Sequence, residues 1–542
     1  MRNLRGSSWL ALAFGTLAVA GSACSRQPEP AGAQLLVAAL ETDPGHLNPA
    51  ITTNGSVHTA AALLYDGLLQ LDSLQQPQPA LAARWEVRNG GSEYVFHLRR
   101  DVVWHDGQKF SARDVTFSFD SLLLRFHART RASLTSVLTA ITAPDDSTVI
   151  FRFRRPYAPL LQQLDADESP ILPRHRFVGQ DPLRNPTNRA PVGTGPFQFV
   201  SYRANSEIRY TANQRYFGTV PHIRDVVLRV IPEASSRVLA LQSGAVDWLF
   251  TVPGPDLARL RRDTTVHLIQ AAVTPGGGNC ITTLGFNLDR PRFRDVRVRR
   301  AIAHAVDRPQ FVQRVLFGEG RAADAPISSR ITFAHAAGLA IPPFDTARAS
   351  ALLNAVGWLR DGDGVRTARA VAGVADGTPF AISFTVLPGQ VAFGELLRAQ
   401  LRAVGIDLRV VALETALFAR TVFTVRDFDT AIAAYCNGSD PEIGVRRQYA
   451  SSSIAPVPFS NMAAYRNPVI DSLFERAGAS LDVDERRRLY RQIQEIAVAD
   501  QPYVWLVETL GTRAFTSRCR GFDASSRFAA SARCDSPTRG VH

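Results

Sequence analysis

The sequence has a single lysine, Lys109, and only two methionines, although its formal net charge is +12. It contains no Gly-Lys pair, which excludes a phosphate-binding P-loop. The motifs His-Glu-x-x-His and Gly-x-Ser-x-Gly, which are typical of metalloproteases and serine hydrolases, are also absent. The many arginines are scattered rather than clustered, so we expect no nucleic-acid-binding stripe. These absences argue against an enzyme of those classes and against a nucleic-acid-binding protein.

Long apolar runs are equally scarce, and the one clear run lies at residues 9–20. It follows Arg2 and Arg5, and small residues and Cys24 come after it, which predicts an export signal over 1–24. Cys24 and the Pro-, Gly- and Ala-rich segment 25–33 predict a lipidated cysteine with a flexible tether. Gly21 stands where a lipidation motif usually has leucine, so cleavage to a soluble secreted protein is the alternative. No later segment predicts a membrane span.

The rest of the chain has the composition of a globular protein, with 45% hydrophobic and 20% charged residues. At 542 residues it is too long for one core, so we expect two or more lobes. Residues 226–231 alternate like a half-buried strand, and the helical segment that follows ends near Gly244. Residues 94–98 predict another strand, while 112–124 and 484–499 predict helices. This alternation predicts the α/β class.

Many short motifs along roughly residues 35–508 resemble those of one family, in the family's order. They are Leu47-Asn48-Pro49, Tyr65-Asp66-Gly67-Leu68, Leu81-Ala82-Ala83-Arg84-Trp85-Glu86-Val87, Trp104-His105-Asp106-Gly107, Phe110-Ser111-Ala112-Arg113-Asp114-Val115, Ile231-Pro232-Glu233-Ala234, Leu241-Gln242-Ser243-Gly244, Leu284-Gly285-Phe286-Asn287 and Pro468-Val469-Ile470-Asp471. That family is the extracytoplasmic solute-binding proteins of ABC importers that bind dipeptides, oligopeptides and nickel complexes (solute-binding protein family 5). One such motif would be weak, but together they are specific.

The resemblance implies an α/β, two-lobed periplasmic-binding-protein (Venus-flytrap) fold with an additional domain inserted in the first lobe. The implied parts are lobe I at 34–65, 190–280 and 500–535, the inserted subdomain at 66–189, and lobe II at 281–499. The lobes would close on ligand through the segments that connect them. The first crossing is expected just before 284–287, and the second between 499 and 507.

The resemblance also implies a function. We expect a non-catalytic, monomeric protein that captures short peptides between its lobes and presents them to the permease of an ABC importer. It would work in the periplasm or on the outer face of the cytoplasmic membrane, held by a lipid anchor. We expect no cofactor, no metal site and no nucleic acid. The alternatives are a nickel chelate, an oligosaccharide or an opine-like ligand, or a receptor that signals through a sensor partner.

The best candidate for ligand binding is the loop that follows the predicted strand 428–432. Its candidate residues are Tyr435, Cys436, Asn437, Gly438, Ser439 and Asp440. In peptide-binding relatives this strand edge pairs with the peptide backbone, and a nearby aspartate binds the α-ammonium group. That aspartate falls near Asn437 or Gly438 here, so Asp440 or Glu442 could replace it. Asp440 before Pro441 also fits an ordinary turn.

Dipeptide-binding relatives bind the carboxylate end of a peptide with an arginine. This sequence lacks that arginine, because the segment 387–390 contains none. Arg446 or Arg447 could replace it, although a surface salt bridge explains them equally well. In the first lobe, the family's cleft-lining segment corresponds to Thr53, Asn54, Gly55 and Ser56. A simple Asn-Gly turn is the other interpretation of these four residues.

Four cysteines lie beyond the signal, and an exported protein enters an oxidising compartment. In the oligopeptide branch of the family, cysteines in similar places are disulfide-bonded. The resemblance therefore implies the bridges Cys280–Cys436 and Cys519–Cys534. Four free buried thiols are the alternative.

Overall fold

A computed structural model of the chain describes residues 34–72, 75–270, 279–362, 364–522 and 531–535. The predicted signal 1–24, its Cys24 and the tether 25–33 lie outside the described residues. Within these described ranges, no helix is long and apolar enough to cross a membrane.

The first large sheet has seven strands drawn from the beginning, middle and end of the chain. Across the sheet they are Val266–Gln270, Thr512–Thr516, Trp248–Leu249, Leu35–Leu40, Asp225–Val230, Glu207–Ala212 and Phe197–Arg203. The predicted strand–helix–strand unit forms its centre, because Asp225–Val230 and Trp248–Leu249 both pair in parallel with Leu35–Leu40. The helix between them ends before Gly244, whose φ of +71° suits glycine.

The second large sheet has six strands. In order they are Gly320–Ala322, Tyr503–Thr509, Cys280–Phe286, Thr430–Cys436, Ala381–Val386 and Asp407–Ala412. Tyr503–Thr509 belongs to this sheet, and Thr512–Thr516 belongs to the first one. The expected return crossing between 499 and 507, and with it the boundary at 500, was therefore wrong: the chain crosses at Leu510-Gly511.

A third sheet lies within the segment 66–189 and is antiparallel throughout. Its strands, in order, are Ala82–Arg88, Glu93–Leu98, Thr148–Phe153 and Leu138–Asp145. The predicted helix 112–124 begins with a capping box of Ser111 and Asp114. It is not one regular helix, because a π-helical stretch, Ser118–Leu123, follows Ala112–Phe117. Ser118 explains the interruption, since its hydroxyl accepts the Leu172 N–H and donates to the Asp114 carbonyl.

Helices cover both large sheets. The α-helices are Gly55–Ala61, Ala112–Phe117, Leu124–Phe126, Ala128–Leu134, Arg174–Phe177, Ala234–Gln242, Leu257–Leu260, Val296–His304, Arg308–Arg314, Thr346–Ala355, Val391–Ala403, Thr415–Ala419, Pro441–Gly444, Arg446–Tyr449, Pro468–Ala479 and Val483–Asp500. The 3₁₀-helices are Pro49–Ile51, Asn89–Gly91, Ala158–Gln163, Pro186–Asn188, Gly254–Asp256, Pro291–Phe293, Pro388–Gln390 and Ser451–Ser453, and Arg420–Val425 is π-helical. Short two-stranded pairs are Leu69–Leu71 with Pro77–Pro79, Trp358–Leu359 with Thr367–Ala368, and Cys519–Arg520 with Arg533–Cys534.

The buried cores follow the sheets. One core is shared by the first sheet and the segment 66–189, so Leu36 and Phe151 belong to the same cluster. The second sheet has a core on each face, one around Phe384 and one around Tyr435. Two disulfides, Cys280–Cys436 and Cys519–Cys534, are present, as the family resemblance implies.

Candidate functional site

The strand Thr430–Cys436 runs into the predicted binding loop, and one of its edges is largely open. On one side it pairs with Cys280–Phe286 along its whole length. On the other side Ala381–Val386 pairs only with its first two residues, Thr430 and Ala431. Residues 432–436 have no strand partner on that side within the described part of the chain.

The register shows which backbone groups face the open edge. The Asn437 N–H donates to the Asn279 carbonyl at 3.2 Å, so odd-numbered residues of this strand point toward its full-length neighbour. Alternation then directs the backbone groups of Ala434 and Cys436 toward the open edge. An exposed edge of this kind can bind an extended peptide as an additional strand, through main-chain hydrogen bonds.

Tyr435 does not contribute a side chain to this edge. Its ring is fully buried, its hydroxyl donates to the Ser460 carbonyl at 2.7 Å, and burial raises its pKa. Its backbone is paired with Ile281. The predicted ligand contact by Tyr435 is therefore contradicted, because the residue is part of the core.

Asn437 is also used within the protein. Its side chain is fully buried, accepts the Ser328 N–H at 2.8 Å and donates to the Tyr435 carbonyl at 3.2 Å. Both ends of the amide are thus engaged, which contradicts a ligand contact through this side chain.

The half-buried residues of the loop are Cys436, Gly438 and Ser439. Gly438 has a φ of +66°, a conformation that favours glycine, and its carbonyl accepts from the Asn279 side chain at 2.8 Å. Ser439 donates to the Gln162 carbonyl at 3.3 Å and so touches the segment 66–189. These residues, rather than Tyr435 and Asn437, form the surface of the loop.

Asp440 is fully buried and pairs with Arg486. Arg486 donates from one nitrogen to both carboxylate oxygens, at 2.9 and 2.7 Å, and Asp440 also accepts the Glu442 N–H to cap the helix Pro441–Gly444. This geometry contradicts the ammonium-anchor interpretation, because the carboxylate is used inside the protein. The turn interpretation of Asp440-Pro441 holds instead.

Arg446 is paired as well, because its guanidinium donates to Glu442 at 3.0 Å. Glu442 is buried, and burial raises its pKa to about 7 in spite of Arg446. Its other oxygen, Oε1, has no hydrogen-bond partner among the described residues. The predicted role of Arg446 as a ligand anchor is therefore contradicted by its partner.

Arg447 differs from its neighbour. Its guanidinium donates to two carbonyls, those of Gly444 at 3.2 Å and Cys436 at 3.4 Å, and lies 5.9 Å from the centre of the Tyr435 ring. No carboxylate lies within 4.0 Å of it in the described ranges. Burial lowers the pKa of Arg447. This arginine stands at the end of the open edge without an acidic partner.

The segment 66–189 packs against the loop. Arg129 pairs with Glu168 at 3.0 Å, and both side chains are nearly buried. The helix Ala128–Leu134, which carries Arg129, packs against the helix Pro441–Gly444 that follows the loop. Nothing in their sequence spacing connects Arg129, Glu168 or Gln162 with a loop so far away in the sequence, so the sequence analysis missed them.

The predicted cleft-lining residues of the first lobe, Thr53–Ser56, lie at the start of the helix Gly55–Ala61. Asn54 caps the helix Gly55–Ala61 by accepting the Ser56 N–H at 2.9 Å, while Thr53, Asn54 and Gly55 are exposed. His58, on the same helix, lies 5.7 Å from the ring of His127, just before Arg129. Burial lowers the pKa of both histidines. Thr53–Ser56 are therefore an exposed segment that leads into a helix, and the predicted Asn-Gly turn is a capped helix start.

Comparison with known proteins adds an independent line of evidence. A family model described as bacterial extracellular solute-binding proteins, family 5 Middle, matches residues 76–455. The dipeptide-binding protein of Escherichia coli K12 is 27% identical over 493 residues, which cover 86% of this chain and 87% of that protein.

Comparison with solved structures concerns the fold. NikA from Brucella suis, in complex with Fe(III)-EDTA, aligns with a TM-score of 0.81 at 23% identity and covers 92% of this chain and 99% of its own. DppA from Helicobacter pylori, in complex with the peptide STSA, aligns with a TM-score of 0.76 at 25% identity and covers 92% and 98%. The predicted α/β fold with two lobes is therefore confirmed.

Proposed function

This chain belongs to the bacterial extracellular solute-binding proteins of family 5, and from that premise we propose that it captures short peptides for an ABC importer. Relatives named for dipeptide and oligopeptide binding support a peptide ligand. The observation that carries the proposal is the open edge at residues 432–436 of the strand Thr430–Cys436. An edge that offers backbone groups suits a ligand whose own backbone repeats.

In this mechanism the peptide lies along the edge and hydrogen-bonds to the backbone of Ala434 and Cys436. Water and backbone groups satisfy its remaining polar atoms, so that many side chains are accepted. Gly438 and Ser439 border the loop end of the peptide, and the exposed segment Thr53–Ser56 would face it from the first lobe. No bond is made or broken.

Closure of the lobes would trap the peptide. We assign the first lobe to 34–65, 190–270 and 511–535, the inserted part to 66–189 and the second lobe to 280–510. A hinge is then expected at Leu510-Gly511, where the chain passes between the two large sheets. The closed surface would be the one that the permease subunits recognise, while ATP is hydrolysed by other components.

We place the protein outside the cytoplasmic membrane, as a monomer held by a lipid on Cys24. The tether 25–33 would give the folded part reach from the membrane. Radiolabelled palmitate incorporation into the full chain, and its loss in Cys24→Ala, tests the anchor. Equal labelling of both chains would contradict it.

Native mass spectrometry tests the peptide proposal. The chain from Ser25 onward is expressed in a periplasm, purified gently and identified together with whatever it carries. A ladder of masses that resolves into short peptides is the expected result. A single chelate, haem or sugar mass would contradict it. An empty protein that then binds no member of a tri- to pentapeptide library would contradict it as well.

A further inference from the structure

We infer that Arg447 anchors an anionic group of the ligand, so that the solute presents a carboxylate, and not an ammonium group, to the loop end of the strand Thr430–Cys436. This inference rests on the proposed function, because it gives a polarity to a peptide that lies along that strand.

The position of Arg447 is the first reason. Its guanidinium donates to the Cys436 carbonyl, and that carbonyl points to the open edge. The guanidinium is held in place by its hydrogen bond to the Gly444 carbonyl, and its central carbon lies 5.9 Å from the centre of the Tyr435 ring. A ligand that pairs with Ala434 and Cys436 therefore arrives at this guanidinium when it reaches the end of the strand.

The lack of a carboxylate partner is the second reason. Three acids near the loop are paired with other arginines: Asp440 with Arg486, Glu442 with Arg446, and Glu168 with Arg129. A guanidinium has five N–H donors, and two of those on Arg447 have acceptors among the described residues. The remaining donors can bind a carboxylate, for which the planar guanidinium is well shaped.

The surroundings are unfavourable for an ammonium group. Asn437 is neutral and buried, and Asp440 is held by Arg486. Arg447 has no carboxylate partner in the described ranges, so its positive charge would repel an ammonium group at this end, whereas the charge of Arg129 is balanced by Glu168. The polarity of the bound peptide is thus opposite to the one that the resemblance implies.

Blocked peptides test this polarity on the unmodified protein. Calorimetric titration of ligand-free protein compares Ala-Ala-Ala in its free, N-acetylated and C-amidated forms at low salt. We expect acetylation to change Kd little, and amidation to weaken binding by about tenfold or more, the effect typical of a lost charged hydrogen bond. Loss on acetylation with no loss on amidation would overturn the inference.

A second comparison separates the two sources of a carboxylate. Ac-Ala-Glu-Ala-NH₂ and Ac-Ala-Gln-Ala-NH₂ lack terminal charges and differ only in the side-chain acid. Tighter binding of the glutamate peptide identifies a side-chain carboxylate as the partner of Arg447, whereas equal binding, together with a loss on amidation of Ala-Ala-Ala, identifies the α-carboxylate. Indifference to every carboxylate would overturn the inference.

Arg447→Gln links the effect to this residue, and Arg487→Gln is its matched control. Arg487 is half exposed and pairs with Asp484 on the helix Val483–Asp500, so both variants lose one positive charge. We expect Arg447→Gln to abolish the difference between the acid and the amide, and Arg487→Gln to preserve it. Persistence of the difference in a folded Arg447→Gln protein would overturn the inference. If no form of peptide binds, the proposed function fails first. If Arg447→Gln does not fold, the titrations of the unmodified protein decide alone.

Discussion

Replacing Asp440 with alanine removes a fully buried carboxylate and leaves Arg486 buried without its partner. The side chains of Asp440 and Arg486 are 0% and 5% exposed, and one guanidinium nitrogen reaches both oxygens. Breaking a buried pair from one side typically costs about 3–5 kcal/mol, because the remaining charge stays out of water. We therefore expect Asp440→Ala to lower the free energy of unfolding of the second lobe by roughly that amount.

Asp484→Ala is the control, because Asp484 pairs with Arg487 on the surface, where the two side chains are 72% and 52% exposed. Such a pair contributes about 0–1 kcal/mol. The double variant Asp440→Ala/Arg486→Met should lose less than Asp440→Ala alone, since it removes both buried charges.

Urea unfolding of the ligand-free proteins, followed by circular dichroism, measures these differences, and titration with peptide follows for each folded variant. We expect a large shift of the midpoint for Asp440→Ala and an unchanged Kd in variants that remain folded. If Asp440→Ala is as stable as Asp484→Ala but no longer binds peptide, Asp440 is a ligand anchor and the reasoning fails.

Three further predictions concern the same region. Burial raises the pKa of Glu442 to about 7, because the folded state favours the neutral carboxyl group. The contribution of this group to folding stability is therefore full at low pH and is lost as the pH rises through 7. Glu442→Gln should accordingly gain up to about 3 kcal/mol relative to the unmodified protein between about pH 4.5 and 8 in urea unfolding; a pH-independent difference would contradict this. Removing the Cys280–Cys436 bridge, which spans 156 residues, in a double alanine variant should cost about 5 kcal/mol in the same assay; an unchanged midpoint would contradict this. Gly438→Trp should weaken peptide binding, measured by calorimetry, much more than Gly438→Ala. Both variants share the backbone strain at a φ of +66°, and only tryptophan adds a large side chain. Equal losses of affinity would show that the size of the side chain at this position does not matter.

Local patterns predicted the elements well where neighbours in sequence determine them. The strand Asp225–Val230, the helix Ala234–Gln242 and its end before Gly244 follow from alternation and from a glycine at the helix end. The return crossing was misplaced because Tyr503–Thr509 is buried along six of its seven residues, a pattern that marks a central strand but does not say in which sheet it lies.

The site was harder to predict, because distant partners decide the role of each charge. Asp440 looks the same in sequence whether it binds an ammonium group or Arg486, which lies 46 residues later. Arg446 and Arg447 are adjacent residues of the same type, and the sequence does not show that Arg446 is the one that pairs with Glu442. The sequence likewise does not show that the side-chain oxygen of Asn437 accepts a hydrogen bond from the Ser328 N–H.

Amide hydrogen exchange at Ala434 and Cys436 tests the central claim, that a peptide binds as a strand along the open edge of Thr430–Cys436. Exchange is followed by nuclear magnetic resonance in ligand-free protein and after saturation with a bound peptide. We predict strong additional protection of both amides, with little change at Tyr435, whose N–H already faces the neighbouring strand. Saturating peptide that leaves Ala434 and Cys436 as exchangeable as before would contradict the account.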